Sequence, residues 1–394
     1  MCAVIETHEK AGASAVRVTH VVFDLNGGGL ESVIGAMAKR FAGTSVALSA
    51  ISLSGRAGRV GAAVAPQFKE FRVLRPWPIV SMVLPIGLAD AIRRTGADVV
   101  HLHSGCWYKG AIAARLAGVA GVVYTEHGRE HHDPTLMRVL DRLASKRTDA
   151  VVAVSDRLAG YMANVVGVEP SRIRTIRNGV DTVEFAPGPA PQELRRSLGI
   201  PDGALVVGSV GRLEPVKAYE RLLRAVARLR TMDVGAPVYV VIWGDGSERA
   251  PLERLATSGG LAGVVRLSGW TDTPVLAHQI LDVFTLTSRS EGMSVSLLES
   301  LACGVAPVVM DVGANAEILG PELAGQLVPA GDEDAFAAAL VATLRDPERR
   351  LRSGASGRAR VVAHFSLDAM MNSYRRLYQE LVARRTGVWP GARQ

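Results

Sequence analysis

A chain of 394 residues exceeds the roughly 250 to 300 at which a single core stops growing, so two domains with a ligand cleft between them are expected. Hydrophobic residues make up 48% and charged residues 21%, with 41 glycines, which excludes disordered and fibrous classes and fits a well-packed α/β protein. The net charge of +7 suits nucleic acid, an anionic membrane surface or a phosphorylated substrate. The cations come as short pairs (Arg93-Arg94, Lys146-Arg147, Arg349-Arg350, Arg375-Arg376, Arg384-Arg385) without an aromatic-rich RNA-binding signature, so solvated helix faces are expected and nucleic acid is not.

Met1 to Ala15 carries Glu6, Glu9 and Lys10 and has no apolar run after a basic start, so it does not read as a secretory signal. Strands are predicted at Val18–Phe23, Val46–Ile51, Asp98–Leu102, Val122–Thr125, Ala150–Val154 and Ile173–Ile176, with helices between them. The apolar stretch Pro76–Ala89, broken by Pro78 and Pro85, is shorter than the about 20 residues of a spanning helix. A buried connecting helix is preferred there over an element that rests on lipid through Trp77 and Pro78. Cys2, Cys106 and Cys303 are scattered and odd in number, which points to a reducing compartment without disulfides or zinc. The cytosol is the expected location, with peripheral contact at the anionic inner membrane face as a further option.

Three prolines between Pro187 and Pro191 make a stiff, extended linker. The alternation restarts with strands at Leu205–Val210, Val238–Trp243, Val264–Leu267, Val283–Leu286 and Pro307–Met310. From Ser366 to Arg385 apolar and aromatic residues recur every three or four positions, giving a long closing helix. The expected organisation is residues 1–185 and 186–365 as two doubly wound domains, and 366–394 as a helix returning to the first. Ligands in such sheets bind at the carboxyl ends of the strands.

The most informative segment runs from Thr287 to Gly304. A strand ends, a polar turn carries Glu291, and a helix begins near Val295 and carries Glu299. Free N–H groups around Gly292, Met293, Ser294, Val295 and Ser296 would face the mouth of the sheet, where they can bind phosphate oxygens. Taken alone, each glutamate is a capping or solvated carboxylate. The whole segment, however, resembles the E-x7-E signature of retaining GT-B glycosyltransferases, in particular glycosyltransferase family 4.

That resemblance implies that Glu291 contacts the transferred sugar and Glu299 the nucleotide ribose. It extends to the Gly-Gly-x-Glu turn at Gly28-Gly29-Leu30-Glu31, which would approach donor phosphates and acceptor, and to Thr125-Glu126-His127-Gly128, similar to a sugar site. Asn178-Gly179-Val180-Asp181 is similar to the segment that closes the first domain. Gly211-Arg212-Leu213 followed by Lys217 resembles the diphosphate-holding pattern, with Ala218 where glycine is usual. A guanidinium fork and an ammonium suit a leaving diphosphate. Gly244-Asp245-Gly246 and Gly269-Trp270-Thr271-Asp272 match further turns of the family. The sequence departs at Ala306-Pro307, where the proline falls one residue late, and at Gly313-Ala314-Asn315, where Gly-Gly is frequent, which leaves the sugar less determined than the nucleotide.

The implied chemistry is metal-independent transfer with retention from a nucleotide sugar, UDP favoured over GDP, onto an unidentified hydroxyl acceptor, in polysaccharide or glycoconjugate assembly or on a small metabolite. Glu291, His127, Arg212 and Lys217 form the catalytic set, and no cofactor is expected. A nucleotide-sugar epimerase and a non-catalytic binding protein are the rivals. A metal on His127, Glu130, His131, His132 and Asp133 is disfavoured because H-E-x-x-H is not matched, and Asp332-Glu333-Asp334 is better explained as a helix cap. His101 and His103 end a strand; alternation of faces suggests one in the core and one toward the cleft, and neither is assigned.

Overall fold

The computed structural model describes residues 4–6, 15–74, 84–128, 134–230 and 232–386. Trp77 and Pro78, and Glu130, His131, His132 and Asp133, lie outside the described residues, as does Cys2. The chain forms two compact units, one of Met1–Arg177 with Ala369–Gln394, the other of Asn178–Asp368.

In the first unit the strands are β1 (Val4–Glu6), β2 (Val16–Val22), β3 (Val46–Ser52), β4 (Glu70–Val73), β5 (Val99–His103), β6 (Gly121–Glu126), β7 (Ala150–Ala153) and β8 (Ile173–Thr175). They lie in the order β1-β4-β3-β2-β5-β6-β7-β8, with β1 antiparallel to β4 and every other pair parallel. The interior strand β7 is apolar along its whole length and fully buried, as a sheet covered on both faces requires. One covering element is the helix Leu367–Thr386, on which Tyr374, Tyr378 and Leu381 are buried. A side chain at Gly121 would press on Leu381, and Arg385 donates to the carbonyls of Gly118 and Val119. The closing helix is thereby part of the first unit.

The second unit contains β9 (Leu205–Val210), β10 (Val238–Trp243), β11 (Val265–Gly269), β12 (Val283–Leu286), β13 (Ala306–Met310) and β14 (Leu327–Val328), all parallel, in the order β11-β10-β9-β12-β13-β14. Among the parallel strands each sheet reverses its winding direction once, between β2 and β5 in the first unit and between β9 and β12 in the second. The crevice at such a reversal, outside the carboxyl ends of the strands, is where open α/β sheets bind ligands.

The helix Glu333–Arg345 starts on Asp332, whose carboxylate accepts from the Ala335 amide at 2.8 Å, so Asp332 is its cap, and Asp334 lies in the first turn, where it pairs with Arg228. No helix among the described residues is long and apolar enough to cross a membrane.

Candidate active site

At the reversal of the second sheet, Gly211 follows β9 and Thr287 follows β12. The loop after β9 ends in a short 3-10 turn, Pro215–Lys217, and is tied to the loop after β12. The Arg289 amide donates to the Val216 carbonyl (2.7 Å), and the Thr287 hydroxyl donates to the Lys217 carbonyl (3.1 Å). These ties aim Lys217 at Glu291, with Nζ to Oε1 at 2.6 Å and both side chains largely buried. The Ser288 hydroxyl donates to the same oxygen at 2.6 Å. Arg212, in contrast, is exposed and its guanidinium has no hydrogen-bond or ion-pair partner among the described residues.

Three glycines join the strand ends beside this pair. The Gly211 amide donates to the Trp243 carbonyl (2.8 Å) and the Gly244 amide to the Gly269 carbonyl (2.7 Å). A Cβ on Gly244, which has φ 135°, would collide with the Gly211 carbonyl. The three motifs that begin at these glycines are thus one interlocked backbone structure. Glu291 is fixed in the same way. Gly313, at φ 56°, passes so close that a Cβ there would strike the Glu291 carbonyl, and Ala314 donates to the Gly292 carbonyl at 2.9 Å. The glycine required in the Gly313-Ala314 segment is therefore the first.

The helix Val295–Ala302 begins one turn beyond Glu291 and is capped by Ser294, whose hydroxyl accepts from the Leu297 amide at 3.3 Å. The Val295 and Ser296 amides have no acceptor among the described residues, as expected of a helix start. Met293 is buried, and its carbonyl accepts from Asn178 Nδ2 at 3.1 Å. Gly179 packs against the Ser366 backbone. The Asn178-Gly179 segment therefore supports the site's loop. On the helix, Glu299 Oε2 accepts from His278 Nε2 at 3.2 Å. His278 is fully buried and its Nδ1 has no partner among the described residues, so the ring's proton sits on the nitrogen that faces the carboxylate. Sequence reasoning missed His278. Its only signal was a histidine among apolar residues, which ordinarily marks core.

In the first unit, Gly28 precedes the helix Gly29–Phe41 with φ 157° and ψ −177°, a conformation nearly confined to glycine. His103 ends β5 and His127 follows β6, with His103 Nδ1 and His127 Nε2 3.0 Å apart. His103 Nε2 in turn meets His20 Nδ1 at 2.9 Å. His101 lies between the hydroxyls of Tyr378 (2.7 Å) and Thr125 (2.6 Å). The expectation of one core and one cleft-facing histidine at the end of β5 is corrected: residues two apart share a face, and His101 and His103 are both buried. The register places His20 directly beside His101. Burial, reinforced by the neighbouring imidazoles, pushes His20 down to about 3 and holds His101 and His103 well below the usual histidine range. His127 keeps partial access to solvent, and burial lowers its pKa as well. Glu126 accepts from the Tyr124 hydroxyl (2.7 Å) and the Gly128 amide (3.2 Å), which fixes the turn that carries His127.

His20, His101 and His103 bring nitrogens able to ligate a metal within 4.8 Å of one another. Both nitrogens of His101 and of His103, and Nδ1 of His20, are engaged with one another, with His127 or with hydroxyls, while His20 Nε2 is buried without a partner among the described residues; through His103 the cluster forms a hydrogen-bonded support for His127.

Residues 27–184 match the family described as Glycosyltransferase Family 4, and residues 191–360 match Glycosyl transferases group 1. Over 287 residues the chain is 32% identical to the D-inositol 3-phosphate glycosyltransferase of Thermobifida fusca, a match covering 66% of this chain and 64% of that relative, just under two thirds of its length. It is 29% identical over 306 residues to the UDP-Gal:alpha-D-GlcNAc-diphosphoundecaprenol alpha-1,3-galactosyltransferase of Escherichia coli, covering 75% of this chain and 79% of that one. The crystal structure of Anabaena HepE in complex with UDP-glucose superposes with a TM-score of 0.81 at 20% identity, over 92% of this chain and 99% of that chain. The shared fold is the GT-B architecture of two Rossmann-like domains.

Proposed function

Because this chain belongs to glycosyltransferase family 4 and is thereby a nucleotide-sugar-dependent glycosyltransferase, we propose that it moves a hexose from a UDP-sugar to an acceptor hydroxyl with retention of configuration. The observation that carries the reading is the Lys217–Glu291 contact at the sheet reversal, beside a helix N-terminus and Arg212, which has no partner among the described residues. In this proposal the diphosphate takes Arg212, Lys217 and the amides around Gly292, Met293, Ser294 and Val295. Gly211 leaves room for its approach. Release of Lys217 to the phosphates turns Glu291 toward the sugar, where its charge stabilises the oxocarbenium-like transition state. Glu299, oriented by His278, accepts from the ribose hydroxyls.

In the first unit, Gly28, Gly29 and His127 attend the acceptor side and the sugar. The acceptor hydroxyl attacks from the face the diphosphate leaves, and the departing phosphate oxygen takes its proton. With Arg212, Lys217 and the helix amides supplying positive charge, turnover should persist in excess EDTA. The named acceptors of the two curated relatives both carry phosphate, which agrees with the net charge of +7 and with glycoconjugate assembly. Incubation with a panel of UDP- and GDP-sugars and phosphorylated hydroxyl acceptors tests the proposal. An α-linked product from an α-linked UDP-sugar is expected; a β-linked product, or turnover abolished by EDTA and restored by Mg²⁺, would overturn the corresponding part.

A further inference from the structure

The helix Thr135–Ser145 is amphipathic in the inverse sense. A surface helix normally turns its apolar stripe to the core. Here the buried residues are Asp141, Ala144 and Ser145, small or polar. The apolar residues Leu136, Val139 and Leu143, spaced to share one face, are 68%, 49% and 37% exposed, and Met137 is 47% exposed. The inner face is committed: Thr148, just past the helix, accepts from Trp107 Nε1 at 2.9 Å and donates to the Ala144 carbonyl at 2.9 Å, so the helix cannot roll to bury its leucines. On the turn Met162–Val166, which packs against the helix, Val165 is a further exposed apolar residue, at 44%. Exposed apolar surface of this kind, gathered on one helix, marks an interaction site.

Charge decides what occupies it. Arg142, Lys146 and Arg147 are exposed along the border and end of the stripe, and the only acid between residues 134 and 148, Asp141, is buried. A second copy of the chain stacked stripe to stripe would bring two such sets of cations together. An anionic lipid surface would accept the leucines among its acyl chains and the cations among its phosphates. We propose that the helix Thr135–Ser145 docks this protein peripherally on an anionic bilayer, with Leu136, Val139 and Leu143 inserted and Arg142, Lys146 and Arg147 at the headgroups. The segment is distinct from the Trp77 stretch, and the proposal is independent of which acceptor is used.

The test is co-sedimentation of the full chain with phosphatidylcholine vesicles containing or lacking phosphatidylglycerol, beside analytical ultracentrifugation without lipid. Binding to the anionic vesicles, weakened by salt and at least tenfold weaker to the neutral ones, is expected. Replacing Leu136, Val139 and Leu143 together by serine should abolish it. Arg142→Gln with Lys146→Gln should weaken it about 25-fold, taking roughly fivefold per cation. Both variants should keep the wild-type rate of donor hydrolysis, which separates loss of docking from loss of fold. Failure of the wild type to bind anionic vesicles, or a dimer that the triple serine variant dissociates while vesicle binding persists, would overturn the assignment.

Discussion

Lys217 Nζ and Glu291 Oε1 are 2.6 Å apart, so the cation proposed for the diphosphate and the carboxylate proposed for the sugar are each other's partner. The contact is largely buried, and the Ser288 hydroxyl satisfies the same carboxylate oxygen. An arriving diphosphate therefore competes with Glu291 for Lys217. Glu291→Gln keeps the shape and removes the competitor. It should lower kcat by about 10² to 10³, the order seen when one transition-state electrostatic contact is lost, while UDP binds as tightly or more tightly. Lys217→Ala should weaken UDP and slow turnover together. Calorimetry with UDP plus steady-state kinetics separates the two; weaker UDP binding by Glu291→Gln would exclude the exchange.

Glu299 and His278 form the second pair, and they predict the opposite profile. Glu299→Gln should raise KM for the donor and weaken UDP while leaving kcat within a few-fold, the pattern of binding shared by ground and transition states. His278→Gln, which can still donate, should be milder than His278→Leu, which cannot. Equal effects of the two His278 substitutions on UDP affinity would show that packing, and not the hydrogen bond to Glu299, explains the residue.

The buried histidines predict acid sensitivity of the first unit. Their folded pKa values are depressed, so between about 6.5 and the folded values the unfolded chain binds more protons, and stability falls as pH falls through that window. Each of His20, His101 and His103 contributes up to about 1.4 kcal/mol per pH unit. Hydrogen exchange should show β2, β5 and β6 losing protection between pH 6.5 and 5 before the strands of the second unit do. Protection unchanged to pH 5 would contradict the neutral, hydrogen-bonded cluster.

Much of this was legible in the sequence where one physical signal dominated. The parallel core strands announce themselves by unbroken β-branched runs, and the cap at Asp332 by its position before an apolar period. Strand β4 was missed because Glu70 and Arg72, which pair with each other, alternate with Phe71 and Val73 and dilute the apolar signal. Strand β14, Leu327–Val328, is too short to carry a period. In the site, Glu291, Glu299, Arg212 and Lys217 were marked by motif, but partners could not be read from spacing. Lys217 meets Glu291, and Glu299 meets His278, through loops joined only in three dimensions. The histidine chain was hidden for the same reason, since it depends on the register of β2 against β5.

The two positions of the Gly313-Ala314 segment, where the sequence keeps the first glycine of the family's Gly-Gly and departs at the second, are separable by substitution, and the sharper test lies at Gly313. Its φ of 56° disfavours any side chain, and a Cβ would press on the carbonyl oxygen of Glu291, a backbone atom anchored by the Ala314-to-Gly292 hydrogen bond and unable to swing away. Gly313→Ala must therefore move the turn that carries Glu291, and reactive geometry is sensitive to shifts of about 1 Å, which cost on the order of 100-fold. We expect kcat to fall by that factor with UDP affinity nearly retained, because Glu299 and its helix sit beyond the disturbed turn. Ala314 has φ −97° and needs no glycine. Ala314→Gly, which restores the frequent Gly-Gly, should change kcat less than threefold and cost about 0.5 to 1 kcal/mol in stability through added backbone freedom. Measuring both variants in one assay is decisive, because equal losses would mean that the segment acts by general packing and not by placing Glu291.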